Sequence, residues 1–466
     1  MRTNREKQIP SNNRKNAAAG RSLTMKGNTV MKRKTMSMNW LKRPAGLAAG
    51  LAAGLLLAAP VATGAEKLQV FILSGQSNMD GHASSYLLAN LMDSPRAEDA
   101  GLAKLVIADY EQTLKTVKPK LEALQKEIDA LAGPSGEVRK AAQKFKKDDQ
   151  SPETQAKRKA HEEIKAKVDA LATKKGELLK SVRYNEGKKV HIAAFGEVDR
   201  GKSATGIVGP VAPGYGSSAT DIGPEYGFGM ALESKLDSPV LLIKVSWGGI
   251  DIDSGFRPPS SKRVGNETEP PPSPGPKYQE LIKQVHAVLA DLKTYHPGYD
   301  PAAGYEMAGF YWFQGFNDQF GDKPTRYKEH MANFIRDIRT EFKAPAMPFV
   351  IGVIGTKSPA KKTDYSTLSH AAAVELGKKQ TADHAVAVAQ REAAALPEFA
   401  GTVVAVESYP YYDYAILPLY EVWKDRLSEW QNAGSARPYH YLGSARFFAR
   451  CGYACGEAMV NLKKKN

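Results

Sequence analysis

Six apolar runs recur along this chain, and each breaks off into small or polar residues: "VFIL" (70–73), "VHIAAFGE" (190–197), "PVLLIKVSW" (239–247), "MAGFYWF" (307–313), "PFVIGVIG" (348–355) and "GTVVAVES" (401–408). A run that is apolar throughout, rich in Val, Ile and aromatic residues, reads as a strand buried on both faces. Between or after the later runs lie "YQELIKQVHAVLADL", "YKEHMANFIRDIRTEF" and "ARFFARCGYACGEAMVNL", whose apolar positions fall on one side of a helix. Strands that alternate with amphipathic helices predict an α/β domain with a parallel sheet and helices on both of its faces. No other feature constrains the fold as strongly.

The first strand stops in a telling place. After Val70–Leu73 the chain runs "SGQSNMDGHA", which cannot continue a buried strand. Open α/β sheets keep their ligands at the carboxyl ends of their strands, so Ser77 stands where a nucleophile would stand. The same serine could equally do no more than cap the helix that follows.

Composition narrows the partners. The chain has 466 residues, 42% hydrophobic and 25% charged, with a net charge of +15. Residues 1–65 hold twelve Lys or Arg and one acid, Glu6, so +11 of that charge sits in the leader and +4 remains for residues 66–466. A near-neutral body argues against nucleic acid as a partner. The leader itself reads as a signal peptide. The basic "MKRKTMSMNWLKRP" precedes the apolar "AGLAAGLAAGLLLAAPVATGAEK", whose uninterrupted part, Ala45 to Ala59, is short for a bilayer span of about 20 residues. Cleavage is expected after Ala65, leaving a secreted or periplasmic protein with no stable membrane span. An uncleaved amino-terminal anchor is the alternative, and translation starting at Met31, Met36 or Met38 would shorten the long basic region. The two cysteines, Cys451 and Cys455, are four apart on a predicted helix and read as small buried hydrophobes. No Cys/His spacing suggests zinc.

Residues 98–182 interrupt the α/β pattern. Tyr110, Leu114, Val117, Leu121, Leu124, Ile128 and Leu131 recur at spacings of four and three, as in a coiled-coil seam. "GPSG" at Gly133–Gly136 breaks the pattern, and a second arm follows with Ile164, Val168, Leu171 and Leu178. The expectation is a helical hairpin inserted into a single domain spanning 66–466.

Three further strand ends supply what a serine nucleophile needs, namely a base for its proton and donors for the oxyanion. Gly248 and Gly249 in "SWGGID" permit a tight turn, Asn317 in "QGFND" offers a side-chain amide, and His440 in "RPYHYLGS" precedes the last helix. With Ser77, these residues form a candidate acyl-transfer site. Gln76, Glu225 and Gln314 are candidates for substrate contact or for bracing that site. Trp247, Tyr311 and Trp312 are expected in the core, Asp251 and Asp253 as solvated loop acids, and His82 as an exposed loop histidine.

The motifs "GQSNM", Gly315-Phe316-Asn317-Asp318 and a late histidine resemble the blocks of the SGNH hydrolase superfamily. Within it, "GPEYGFG" (223–229), "WGG" and "WFQG" resemble the sialate O-acetylesterase and acetylxylan esterase branch, carbohydrate esterase family 6, over residues 68–90 and 190–460. The resemblance implies a flavodoxin-like α/β/α fold and a carbohydrate O-acetylesterase that works without a metal or cofactor. It implies Ser77 as nucleophile, His440 as base, and an oxyanion hole of Ser77, Gly248 or Gly249, and Asn317. One position departs from the pattern. The acid usually found three residues before the histidine is Arg437 here, which leaves Asp413, Asp318 or a backbone carbonyl to orient the imidazole, or else a Ser–His dyad. The departure also leaves open a carbohydrate-binding relative that has lost catalysis.

Overall fold

The computed structural model describes residues 66–94, 96–132, 149–198, 206–261, 274–355 and 365–465. The expected signal peptide lies outside these residues. Among them, no helix is long and apolar enough to cross a membrane.

Among the described residues, seven strands form the main sheet: β1 (Leu68–Gly75), β3 (Val190–Gly196), β4 (Ile207–Pro210), β6 (Val240–Ser246), β7 (Tyr305–Phe313), β8 (Phe349–Val353) and β9 (Val403–Glu407). Their order is β4-β3-β6-β1-β7-β8-β9. Every pairing is parallel except that of the edge strand β4 with β3. A small antiparallel ladder joins β2 (Ala83–Ser84) to β5 (Asp221–Ile222). After β1 the chain builds β3 and β6 on one side, then crosses to the other side for β7, β8 and β9. β1 therefore occupies the centre of the sheet, at the switch point where ligands bind in such folds.

Alternation along β1 sends Phe71 and Leu73 into one apolar layer and Val70 and Ile72 into the other. The first layer is closed by the helices Pro224–Lys235 and Ala445–Lys463. The second is closed by Pro276–Ala290, Pro324–Glu341 and Ala385–Ala394. The expected α/β/α layering is thus present, with an antiparallel edge that the apolar runs do not show, because β4 is only half-buried.

The helix Pro224–Lys235 carries the "GPEYGFG" motif, whose glycines disfavour helix on propensity alone. A Cβ on Gly227 would come within 2.1 Å of Ala449 O, and one on Gly452 within 2.0 Å of Pro224 O. The glycines let the two helix backbones cross in contact, and tertiary packing overrides propensity. Cys451 and Cys455, on the same helix as Gly452, are free and buried.

Within 98–182 the structure describes the helices Lys118–Ala132 and Pro152–Lys180, together with shorter ones before them. Ile128 and Leu131 pack with Ile164, Val168, Leu171 and Ala172, and Lys175 donates to Gln125 at 2.7 Å. The "GPSG" breaker lies outside the described residues. The longer helix is tied to the body where Asn432 Nδ2 donates to Ala172 O at 2.6 Å.

Candidate active site

We label the short helix Ser77–Asp80 α1. It begins two residues beyond the end of β1, so Ser77 stands at the carboxyl edge of the central strand. Ser77 is 8% exposed, and its hydroxyl has no hydrogen-bond partner among the described residues. Gln76 O accepts from Met79 N (2.7 Å) and Asp80 N (2.9 Å), which closes the turn. Asn78 Nδ2 donates to Tyr439 O at 3.1 Å. That bond draws the residue after Ser77 to the residue before His440, across 361 positions of sequence.

His440 lies in the turn Pro438–Gly443, half-buried. Tyr441 and Leu442 follow it with φ of +48° and +64°, a left-handed backbone that costs non-glycine residues about 1–3 kcal/mol each. Tyr441 offsets that strain. Its ring stacks on Phe447 at 3.8 Å, and its hydroxyl accepts from Gly355 N at 3.0 Å. The imidazole of His440 lies flat on that of His82, with centroids 4.2 Å apart and planes 5° apart, and Tyr439 meets it edge-on at 4.5 Å. Burial, with the second imidazole beside it, lowers the His440 pKa to about 3. His82 is therefore a wall of the site, and the expectation of a free loop residue is corrected.

Neither candidate acid hydrogen-bonds His440. Asp413 is buried against Arg446, accepting at 2.9 and 3.0 Å, and takes Ser444 Oγ at 2.6 Å. Although burial opposes it, Arg446 and Arg450 hold the Asp413 carboxyl below its ordinary range. Asp318 is fully buried and accepts from Ile252 N at 3.1 Å, from Asp253 N at 3.3 Å and from Gln314 Nε2. Burial raises its pKa to about 7. Its work is to tie the loop after Gly249 to the loop that carries Asn317. Arg437, at the position of the usual acid, lays its guanidinium 5.0 Å from the centre of the Trp423 ring.

Gly248 and Gly249 are exposed, and Gly249 has a φ of +72° that favours glycine. Asn317 Nδ2 donates to Gly249 O at 2.9 Å. An amide nitrogen has two hydrogens, so one remains to face a developing oxyanion. Gln76 holds the assembly together. Its Nε2 donates to Asn317 Oδ1 at 3.0 Å, and its Oε1 accepts from Gln314 Nε2 (3.1 Å), Gly315 N (3.2 Å) and Asn317 N (3.3 Å). Gln314 continues inward, with its Oε1 accepting from Tyr327 at 3.1 Å. Gln76 and Gln314 are buried braces.

Below the site, Lys244 of β6 is fully buried. It donates to Glu225 (2.8 Å), to Tyr215 O (2.6 Å) and to Asp80 O (2.9 Å). Glu225 is also fully buried, so it braces and cannot reach a ligand at the surface. Burial raises the Asp80 pKa to about 7, and one of its oxygens takes Ser246 Oγ at 3.2 Å. Sequence spacing gave no sign of Lys244, which sits in an apolar run. Asp251 and Asp253 are likewise not free acids. Asp251 pairs with Lys323 at 2.6 Å, and Asp253 takes Arg326 at 2.7 and 2.9 Å. Burial works against ionisation of Asp251, but hydrogen bonds from Lys323 and Ser254 outweigh it and hold the carboxyl at about 2.

Residues 188–395 match the family model described as carbohydrate esterase, sialic acid-specific acetylesterase. The segment includes Glu225, Gly248, Gly249, Gln314, Asn317 and Asp318, while Ser77 and His440 lie on either side of it. No curated protein matches the sequence. Among solved structures, a protein from Arabidopsis thaliana is similar at 13% identity and a TM-score of 0.33, over 73% of this chain and 86% of that one. A carbohydrate acetylesterase from Xanthomonas citri is similar at 12% identity and a TM-score of 0.33, over 73% of this chain and 49% of that one. NanS is similar at 11% identity and a TM-score of 0.34, over 74% and 78%. Through residues 188–395, this chain is similar to the carbohydrate esterase family of sialic acid-specific acetylesterases.

Proposed function

We propose that this protein is an exported serine esterase that removes O-acetyl groups from carbohydrates. The observation that carries the proposal is the meeting of Ser77, at the carboxyl end of the central strand, with the His440 turn through the Asn78–Tyr439 bond. In this reading Ser77 Oγ attacks the acetyl carbonyl carbon while His440 takes the hydroxyl proton. The oxyanion is held by the N–H groups of Ser77 and Gly248 or Gly249 and by the second hydrogen of the Asn317 amide. The bond to the sugar oxygen breaks as His440 returns the proton to it, which leaves acetyl-Ser77. Water then attacks with His440 as base, and acetate departs.

The rim of the site suits a sugar. Phe320 is 56% exposed and Tyr439 is 42% exposed. Phe316 bridges them, with ring centroids at 5.9 and 5.5 Å. An aromatic strip of this kind offers flat faces to the C–H side of a pyranose. Replacing Phe320 by Ala is therefore expected to raise KM for acetylated sugars about 3- to 10-fold and to leave p-nitrophenyl acetate unaffected, as steady-state kinetics on the two substrates would show.

The activity itself is tested by acetate release from O-acetylated sialic acid and acetylated xylan. Wild type is expected to turn over at least one of them and His440→Ala to fall to background. Wild type that binds these glycans yet releases no more acetate than His440→Ala would mark a binding protein instead.

A further inference from the structure

We propose that His82 is a positioning residue for the Ser–His site, holding the His440 imidazole by lying flat against it. This rests on the reading of Ser77 and His440 given above. The imidazole of a catalytic histidine needs a fixed plane and a free nitrogen facing the nucleophile. A carboxylate usually supplies the first by gripping the other nitrogen. Here Arg437 stands at that position, Asp413 is bound to Arg446 and Ser444, and Asp318 is bound to two backbone amides and Gln314. Neither nitrogen of His440 has a hydrogen-bond partner among the described residues. The ring packs instead against two others. His82 covers one face at 4.2 Å and 5°, and Tyr439 stands edge-on at 4.5 Å and 69°.

His82 is itself well placed for this. Gly81, with a φ of +91°, turns the chain out of α1, and β2 begins immediately after His82. His82 O accepts from Ser435 Oγ at 2.8 Å, and Ser84 N donates to that same hydroxyl at 3.1 Å. A single side chain thus clips the backbone around His82 to the segment that leads into His440. The nucleophile turn carries its own brace for the base, five residues from Ser77.

A stack differs from an acid in what it does to the base. It fixes the plane and leaves both nitrogens open, but it gives no negative charge to an imidazolium. Asp221, Glu197 and Lys244 are the charged groups that act on His82, and His82 is the titratable group that acts on His440. Burial lowers the pKa of both rings. The pair therefore stays neutral into acid, so the acid limb of kcat/KM lies well below the ordinary histidine value of about 6.5.

The test uses the full chain with His82→Ala and His82→Phe, and Ser77→Ala as reference. Alanine removes the flat surface, and phenylalanine keeps it without the nitrogens. His82→Ala is expected to lower kcat on p-nitrophenyl acetate about 10- to 100-fold, as misplacing a catalytic group does, with KM unchanged. Its acid limb should move up toward the ordinary histidine value as water reaches His440. His82→Phe should recover most of the lost kcat. By NMR the ring C–H resonances of His440 should be shielded in wild type and His82→Phe and lose that shielding in His82→Ala. Three results would overturn the proposal: His82→Ala with wild-type kcat and an unmoved limb, His82→Phe as slow as His82→Ala, or a wild type without the shielding. Full activity in Ser77→Ala would overturn the site reading as well, whereas loss there with wild-type kcat in His82→Ala removes only the role of the stack.

Discussion

Ser77→Ala is expected to abolish acetate release, with kcat falling at least about 10³- to 10⁴-fold, while the variant should fold as stably as the parent. Both halves follow from the surroundings of the side chain. Ser77 Oγ makes no hydrogen bond among the described residues, so its removal leaves no buried partner unsatisfied and should change stability by no more than about 0.5 kcal/mol. The hydroxyl is nonetheless the protein group proposed to form a bond to the acyl carbon. Activity that remained would come from the oxyanion donors acting on bound substrate and water. Parallel assays of acetate release and thermal unfolding on the two proteins check the outcome, and a variant within tenfold of wild type would contradict it.

The second large effect concerns stability. Lys244→Met should destabilise the fold by about 3–5 kcal/mol near neutral pH, the cost of breaking a buried pair from one side. The change strips a donor from Glu225, Tyr215 O and Asp80 O together. Burial already raises the Glu225 pKa, and Lys244 opposes that rise. Without the lysine, the Glu225 pKa rises further. A carboxyl whose folded-state pKa is raised favours the fold at low pH and loses that contribution as pH rises through the folded value. The deficit of the variant is therefore largest near neutral pH and shrinks at acid pH, as Glu225 takes up a proton. Denaturant titrations of both proteins at the two pH values measure this, and a deficit under about 1 kcal/mol near neutral pH would show that the pair contributes little. Asp80 O is one of the acceptors left without the lysine donor, so the turn that carries Ser77 should loosen in the same variant.

How far the sequence could be read depended on whether a feature is local. The buried strands are local, since a run such as "PVLLIKVSW" needs apolar cover on both faces wherever it lies, and β6 (Val240–Ser246) sits within it. The helix His370–Ala382 was not legible in the same way, because its alanine-rich turns show little contrast between faces. The candidate site was legible as a set of strand ends, and Ser77, Asn317 and the double glycine do lie at the ends of β1, β7 and β6. What spacing could not show is which side chains meet. Asp413 is taken by Arg446, 33 residues further on, and His82 meets His440 across 358 positions. A histidine two residues beyond the nucleophile helix, in a chain lacking the usual acid, was the one signal that could have pointed to the stack.

The most direct test of the account is to trap the intermediate. Wild-type protein mixed with an acetyl ester and quenched in acid within the first turnover should carry one acetyl group, located by peptide mass spectrometry on Ser77, and Ser77→Ala should carry none. Turnover with the acetyl group on another residue, or with no acyl-protein at any time in the first turnover, would contradict the assignment of Ser77 as the nucleophile.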